Sequence, residues 1–101
     1  MQMRSEVALP DFRVFETDEF AKRLKKFSSP DAAFLRKKLG AFVYPQIKRE
    51  PYFGKNIKKL RGYTPSTWRY RIGRFRMFYT VDHEEQFVYM LTMEDRKDAY
   101  K

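Results

Sequence analysis

The feature that most constrains the fold is a strict alternation of apolar and basic side chains that is followed by a two-residue turn. Residues 68–72 read Trp-Arg-Tyr-Arg-Ile, which is the period of two expected of a strand with one apolar face and one cationic face. Gly73 and Arg74 separate this strand from the next one, and a two-residue connection with glycine first suits a type II′ hairpin turn. The turn predicts the following cross-strand pairs, each sharing one face of the sheet: Ile72 with Phe75, Arg71 with Arg76, Tyr70 with Met77, Arg69 with Phe78 and Trp68 with Tyr79.

Two helical patterns precede the hairpin. Thr17 predicts the N-cap of a helix that starts near Asp18, and its buried stripe consists of Phe20, Leu24 and Phe27. Ser29 and Pro30 predict the cap and the first position of a second helix. The apolar stripe expected for this second helix is Leu35, Leu39, Phe42, Val43 and Ile47. Pro45 falls inside the second pattern, so we expect either a kink there or a helix that ends just before it.

Shorter strand patterns complete the chain. Residues 12–15 precede the helices, Ile57 and Leu60 mark a short strand after them, and residues 87–93 follow a polar turn. The order of strand, helical hairpin and antiparallel β-meander predicts an α+β fold in which the helices pack on one face of the sheet. The aromatic residues expected on that covered face are Trp68, Tyr70, Phe75 and Tyr79. We expect a chain of 101 residues to form a single domain over residues 1–101, with residues 1–11 as a peripheral N-terminal extension.

Composition excludes several kinds of protein. The chain contains no cysteine, which rules out a disulfide scaffold, a thiolate nucleophile and a cysteine-ligated metal site. The sequence has neither a signal-peptide pattern nor the run of about 18 apolar residues that a membrane-spanning helix requires. We therefore expect a cytoplasmic protein without a membrane-inserted segment.

The positive charge is concentrated in one segment. From Lys48 to Arg76 the chain has ten basic residues and one acid, so the net charge of this segment equals the +9 of the whole chain. Such a local field attracts polyanions, of which nucleic acid is the commonest, with a membrane surface or an acidic protein as alternatives. A basic face that only improves solubility is the remaining interpretation.

The pairing of Arg71 with Arg76, with Arg69 two residues along the strand, is the sharpest functional indication. Like charges that face each other directly in a sheet cost stability, and a phosphate would relieve this because arginine donor forks match phosphate oxygens. Several arginines on one face could also stabilise the extra charge of a pentacovalent phosphoryl transition state. Alternatively, the register is shifted by one residue, or Glu94 or Asp95 neutralises the pair.

Other catalytic chemistries find little support in the sequence. His83 is the only histidine and falls in a turn, without a second imidazole or a carboxylate cluster at ligand spacing, which argues against metal catalysis and against a serine hydrolase. Metal-free phosphoryl chemistry then leaves cleavage of RNA by its own 2′-hydroxyl, which needs only alignment, proton transfer and charge stabilisation. Phe78 and Tyr100 are the aromatic residues expected to stack on unpaired bases. For Tyr100, a role in anchoring the C-terminus is an equal alternative.

Three stretches resemble the core of the RelE/ParE toxin superfamily: residues 53–62 (Phe-Gly-Lys-Asn-Ile-Lys-Lys-Leu-Arg-Gly), residues 68–79, and residues 96–100 (Arg-Lys-Asp-Ala-Tyr). The resemblance implies an antiparallel sheet with helices on one face and an active cleft on the other. It also implies a type II toxin that needs no cofactor, cuts messenger RNA in the ribosomal decoding site without metal and so inhibits translation. The implied partner is a cognate antitoxin whose extended segment wraps the toxin.

The resemblance carries over residue roles by position. Arg69 and Arg71 match a basic strand pair implicated in proton transfer and phosphate contact, and Arg76 matches the arginine that stabilises or protonates the scissile phosphate. Tyr100 matches a tail tyrosine that orients the strand or stacks on a base, which makes these four the expected catalytic residues. The expected RNA-binding residues are Lys59, Arg61, Arg74, Phe78 and Arg96. Of these, Lys59 and Arg61 match a basic patch that faces ribosomal RNA.

Glu94 and Asp95 depart from the family pattern, because RelE-like toxins often carry a histidine or a further arginine shortly before the tail tyrosine. Arg96 could then act as the general acid, or Asp95 as a base. Two other functions stay open: a ParE-like inhibitor of DNA gyrase, and a catalytically degenerate module that binds RNA or antitoxin. For the antitoxin we expect an acidic or amphipathic segment that covers Arg71 and Arg76.

Overall fold

Five strands form one mixed sheet. In the computed structural model, which describes residues 11–99, the strands are β1 (Arg13–Glu16), β2 (Ile57–Lys59), β3 (Thr67–Ile72), β4 (Phe75–Asp82) and β5 (Phe87–Asp95). Their order across the sheet is β1-β5-β4-β3-β2, with β1 parallel to β5 and every other neighbouring pair antiparallel. The predicted α+β fold is confirmed, with a parallel edge strand added to the antiparallel meander. The expected N-terminal extension, apart from its last residue, lies outside the described residues.

The hairpin of β3 and β4 has the predicted register. All five predicted pairs are present. Gly73 has a φ of +54°, while Arg74 is outside the positive-φ region, which is the backbone of a type II′ turn. The turn therefore sets which side chains of the two strands share a face, and it places Arg71 opposite Arg76.

Helix α1 (Asp18–Lys26) begins where the sequence predicts. The Thr17 hydroxyl caps it by accepting a hydrogen bond from the Phe20 N–H at 3.2 Å, and it donates to the Leu91 carbonyl oxygen at 2.9 Å. Phe20 and Leu24 are buried, Phe27 is partly buried beside them, and the helix packs against β5. One cap residue therefore both starts the helix and ties it to the sheet.

A second helical segment runs without a break from Ser29 to Arg49. It consists of α2 (Ser29–Lys38), a π-helical turn (Leu39–Val43) and α3 (Tyr44–Arg49). Its buried apolar residues follow one another at steps of four: Leu35, Leu39, Val43 and Ile47. In an α-helix a step of four overshoots a full turn by about 40°, so three such steps would carry Ile47 off the face on which Leu35 begins. The π turn has more residues per turn, which cancels part of this drift and keeps all four side chains in the core.

Three details of this segment differ from the sequence expectations. The N-cap is Ser28 rather than Ser29, and its hydroxyl accepts a hydrogen bond from the Asp31 N–H at 3.3 Å. Pro45 does not end the helix, because it lies in the first turn of α3, where the π turn already interrupts the α-helical hydrogen-bond pattern. Phe42 is not part of the buried stripe but is 59% exposed, because in π geometry a step of three falls well short of a full turn.

The core lies between the helices and one face of the sheet. The four aromatic residues predicted for the covered face, Trp68, Tyr70, Phe75 and Tyr79, are all buried there. The opposite face, termed the open face, carries Arg69, Arg71, Arg76 and Phe78, which are exposed or partly exposed. Within residues 11–99, no helix is long and apolar enough to cross a membrane.

Candidate functional site

Arginine side chains crowd the open face at the end of the sheet where the hairpin turns. A cleft of about 200 Å³ opens there, termed the arginine cleft, and its lining residues are Arg69, Arg71, Gly73, Arg74, Arg76 and Arg96. Strand alternation supplies three of these side chains, the hairpin turn supplies two residues, and the start of α4 (Arg96–Ala99) supplies the last. The structure thus brings together all five arginines for which the sequence predicts a catalytic or RNA-binding role within residues 69–96.

Arg71 and Arg76 face each other across the hairpin, but they differ in their acidic partners. Arg76 Nη2 lies 3.0 Å from Glu94 Oε1, and Glu94 is directly opposite Arg76 on β5. The side chain of Arg71 is exposed, and its Nε donates a long hydrogen bond of 3.4 Å to the Gly73 carbonyl oxygen. The alternative that an acid neutralises the pair therefore holds for Arg76, while Arg71 has no acidic partner among the described residues.

Two of the cleft arginines have donors that the protein leaves unused. The Nε atoms of Arg69 and Arg76 are buried, and neither has a hydrogen-bond partner in the described part of the chain. Buried donors in folded proteins are nearly always paired, so two such groups beside one cleft require an explanation. An anion with several acceptor oxygens, such as a phosphodiester, is the type of ligand that compensates guanidinium groups held in this way.

Arg74 has a structural role in addition to lining the cleft. Its Nε lies 3.0 Å from both carboxylate oxygens of Asp95, and its Nη2 lies 2.7 Å from Asp31 Oδ2. Asp95 is buried and also accepts a hydrogen bond from the Lys97 N–H at 3.0 Å. Burial alone would raise the pKa of Asp95, but the hydrogen bonds from Arg74 and Lys97 outweigh it and hold the pKa below its usual range. A carboxylate held in this way is a poor proton acceptor, which argues against the predicted role of Asp95 as a base.

Solved structures share this architecture, although no protein-family model and no curated protein matches the chain. The RelBE2 toxin–antitoxin complex from Mycobacterium tuberculosis matches at 26% identity with a TM-score of 0.67, covering 85% of this chain and 99% of that one. The archaeal RelE–RelB complex from Pyrococcus horikoshii OT3 matches at 22% identity with a TM-score of 0.66, over 85% and 96% of the two chains. The isolated Escherichia coli RelE toxin matches at 22% identity with a TM-score of 0.61, over 83% of each chain. The chain has the RelE fold.

Within this RelE fold, the two neighbouring lysines of β2 lie on opposite faces of the sheet. Lys58 is opposite Arg69 and so belongs to the open face, whereas Lys59 is opposite Trp68 on the helix face. Lys59 Nζ lies 5.6 Å from the centre of the Trp68 ring, which is a cation–π contact. Arg61 lies in the loop after β2 and does not line the arginine cleft. Sequence reasoning therefore missed Lys58 as a basic residue of the open face, although the period of two in β2 could have identified it.

The predicted aromatic contacts have different outcomes. Phe78 is partly buried on the open face, two residues along β4 from Arg76. Together with Tyr63, Phe78 lines a second pocket of this chain, beside the arginine cleft. Tyr100, the fourth expected catalytic residue, lies outside the described residues.

His83 lies far from the arginine cleft. His83 sits in the turn after β4, at the opposite end of that strand from Arg76, and its Nδ1 lies 2.8 Å from the Tyr52 hydroxyl oxygen. Among the side chains of residues 11–97, no group of three or more His, Cys, Asp and Glu could hold a metal ion. What this site offers chemically is a concentration of guanidinium donors.

Proposed function

We propose that this chain is the toxin of a type II toxin–antitoxin system, and that it cleaves messenger RNA in the decoding site of the ribosome and so inhibits translation. The observation that carries the proposal is the arginine cleft on the open face of a RelE fold. A fold by itself is compatible with several functions, so the chemistry of the cleft has to decide among them.

The proposed reaction is attack of an RNA 2′-hydroxyl oxygen on the adjacent phosphorus. A bond forms between that oxygen and phosphorus, the bond from phosphorus to the 5′-oxygen breaks, and the products end in a 2′,3′-cyclic phosphate and a 5′-hydroxyl. The protein has to align the strand, assist the transfer of a proton from the 2′-hydroxyl and of a proton to the leaving oxygen, and stabilise negative charge. Guanidinium groups can supply that stabilisation without a metal ion, whereas DNA lacks the attacking hydroxyl.

The residue roles follow from the position of each side chain. Arg76 is proposed to stabilise or protonate the scissile phosphate, since it lies in the cleft with an unused buried Nε. Arg69 and Arg71 are proposed to contact the phosphate and assist proton transfer from the same face of β3, and Tyr100 keeps its proposed role in orienting the strand or stacking on a base. The further proposed RNA contacts are Lys58, Arg61, Arg74, Phe78 and Arg96. Lys59 is left out of this set, because it lies opposite Trp68 on the face that the helices cover.

A cognate antitoxin is part of the proposal. Two of the similar structures are RelE–RelB or RelBE toxin–antitoxin complexes. The net charge of +9 favours a partner with an acidic or amphipathic segment that covers the arginine cleft, Arg71 and Arg76 included. Cleavage on ribosomes places the proposed activity in the cytoplasm.

The deciding measurement is cleavage of messenger RNA on programmed ribosomes by the wild type and by Arg76→Ala, with the cut ends mapped. We expect cuts in the decoding site with 2′,3′-cyclic phosphate ends. Arg76→Ala should cleave about 10²–10³-fold more slowly, the usual effect of removing one donor that stabilises a transition state. Arg49→Ala removes the same charge from an exposed position of α3 and should cleave at the wild-type rate. A message with a 2′-deoxy nucleotide at the scissile position should resist cleavage.

A module that binds RNA or antitoxin without cleaving is the second candidate function. The ion pair between Arg76 and Glu94 favours it, because the carboxylate occupies a donor that would otherwise face phosphate. Well-folded wild-type protein that binds RNA but makes no cuts on ribosomes would establish this second function and exclude the ribonuclease.

A further inference from the structure

The open face holds a second pocket next to the arginine cleft. Its volume of about 310 Å³ lies at the lower end of the range for small-ligand sites, roughly 300–1,000 Å³. The residues that line this side pocket are Tyr63, Thr67, Phe78, Leu91, Thr92 and Glu94. We propose that the side pocket binds one base of single-stranded RNA and prefers guanine. This inference rests on the proposed function, because a phosphate in the arginine cleft is what directs a base to the pocket.

Two aromatic side chains make the side pocket suitable for a base. Tyr63 is 57% exposed and belongs to the loop between β2 and β3, while Phe78 is held on a central strand of the sheet. Proteins that bind single-stranded nucleic acid stack unpaired bases on aromatic rings of this kind. A rigid ring on a strand and an exposed ring on a loop can contact a base from two sides.

The side pocket and the arginine cleft are close enough for a single nucleotide to reach both. Phe78 and Arg76 are two residues apart on the same face of β4, which corresponds to about 7 Å along a strand and is comparable to the distance from a phosphate to the base of the same nucleotide. Glu94 belongs to both sites, because it pairs with Arg76 and also lines the side pocket. A nucleotide with its phosphate in the cleft can therefore insert its base into the pocket.

Glu94 supplies the selectivity. Arg76 holds Oε1, while Oε2 makes no hydrogen bond to any described residue, and an ionised carboxylate only accepts. Guanine presents two neighbouring N–H donors on its Watson–Crick edge, adenine and cytosine present an amino group, and uracil presents one N–H between two carbonyl oxygens that a carboxylate repels. The hydroxyls of Thr67 and Thr92 already donate to other acceptors, so Glu94 is the main polar group that distinguishes the bases.

The same carboxylate disfavours an acidic residue of the antitoxin inside the side pocket, although not over the arginine cleft. An acidic side chain inserted into the side pocket would meet Glu94 as a like charge. A base that donates hydrogen bonds meets it as an acceptor.

Binding of RNA that cannot be cleaved tests the proposal without ribosomes. Short, labelled 2′-O-methyl oligonucleotides of uridine, with G, A, C or U at one central position, are titrated by fluorescence anisotropy. The wild type should bind the G oligonucleotide about tenfold more tightly than the U oligonucleotide, a typical value for one well-placed polar contact to a base. Glu94→Gln should reduce this ratio to about one, because an amide both donates and accepts. Glu84→Gln removes the same charge from the exposed turn after β4 and should keep the ratio.

Aromatic variants test the stacking contact. Phe78→Ala and Tyr63→Ala should each weaken binding of the G oligonucleotide about tenfold, and the loop position of Tyr63 makes its variant safe for the fold. Phe53→Ala is the matched control, since this ring is 76% exposed and lies outside both sites.

Equal binding of the G and U oligonucleotides by the wild type, or an unchanged ratio in Glu94→Gln, would overturn the proposal. This test is independent of the test for ribonuclease activity. Protein that distinguishes the bases but does not cut RNA on ribosomes would support the side-pocket proposal and refute the ribonuclease proposal. Protein that cuts on ribosomes without any preference among the bases would refute only the side-pocket proposal.

Discussion

Lys58 and Lys59 form a matched pair that can separate RNA binding from sheet packing. The two residues are adjacent and carry the same charge, but Lys58 lies opposite Arg69 on the open face and Lys59 lies opposite Trp68 on the helix face. Replacement of each lysine by alanine removes one positive charge from neighbouring positions of the same strand. Only Lys58→Ala should remove a charge from the surface proposed to bind RNA.

The expected magnitude follows from counterion release. Each phosphate neutralised on a single strand contributes about 0.7 to the slope of log affinity against log salt. If Lys58 contacts one phosphate, Lys58→Ala should lower the slope by about 0.7, which amounts to about fivefold weaker binding at 0.1 M salt relative to a 1 M reference. Lys59→Ala should leave the slope unchanged and instead lower the free energy of unfolding by about 0.5 kcal/mol, through loss of the contact to the Trp68 ring.

The assay is a titration of labelled, single-stranded 2′-O-methyl RNA at four salt concentrations, together with urea unfolding of both variants. An equal loss of slope in the two variants would refute the reasoning, because the charge would then act through the overall field of the protein and not through one face. A larger loss in Lys59→Ala would assign the RNA to the helix side of β2.

Three further changes test the scaffold. Tyr79→Phe removes the hydroxyl that donates to the Pro51 carbonyl oxygen at 2.6 Å and should lower the free energy of unfolding by about 1–2 kcal/mol in a urea titration. Gly73→Ala puts a side chain at a φ of +54° and should cost about 1 kcal/mol by the same measurement, whereas Gly40→Ala meets no atom within 4 Å and should be neutral or stabilising. Asp95→Asn should lower the Tm at pH 7, and this difference should shrink as the pH falls below about 4, because a carboxylate with a lowered pKa contributes stability that is lost on protonation.

Specific outcomes would contradict these expectations. Unchanged stability of Tyr79→Phe would mean that the Pro51 carbonyl group finds another partner. Equal effects of Gly73→Ala and Gly40→Ala would contradict the type II′ turn. A Tm difference for Asp95→Asn that stays constant from pH 7 to pH 3 would indicate a contribution from packing instead of charge.

Local patterns were sufficient to predict the hairpin that carries the candidate site. A period of two and a glycine-first turn act over about a dozen residues, and together they determine both the register and the face of each side chain. The five predicted pairs of β3 and β4 are therefore confirmed. The cap at Thr17 was predictable for the same reason, since a cap involves residues within one turn of each other.

The long helical segment shows where such patterns fail. Periodicity places Phe42 on the buried stripe, yet the side chain is exposed because the chain forms a π turn over Leu39–Val43. The choice of a π turn depends on keeping Ile47 against the sheet, and that demand comes from the tertiary packing. A helical period of 3.6 residues, applied uniformly, cannot include it.

By itself, the sequence determined a cationic strand face and the opposition of Arg71 and Arg76. Only the tertiary structure decided which acid meets them, because β4 and β5 contain a β-bulge between Phe78 and Tyr79. Asp82 pairs with Phe87 at the turn between the two strands. If the pairing continued from there without the bulge, Met93 would lie opposite Arg76 and Glu94 would point toward the covered face. The extra residue shifts the register by one and exchanges the two faces, so Glu94 lies opposite Arg76 on the open face while Asp95 is buried against Arg74. A bulge is selected by packing on both faces of the completed sheet, which no local pattern of the sequence contains.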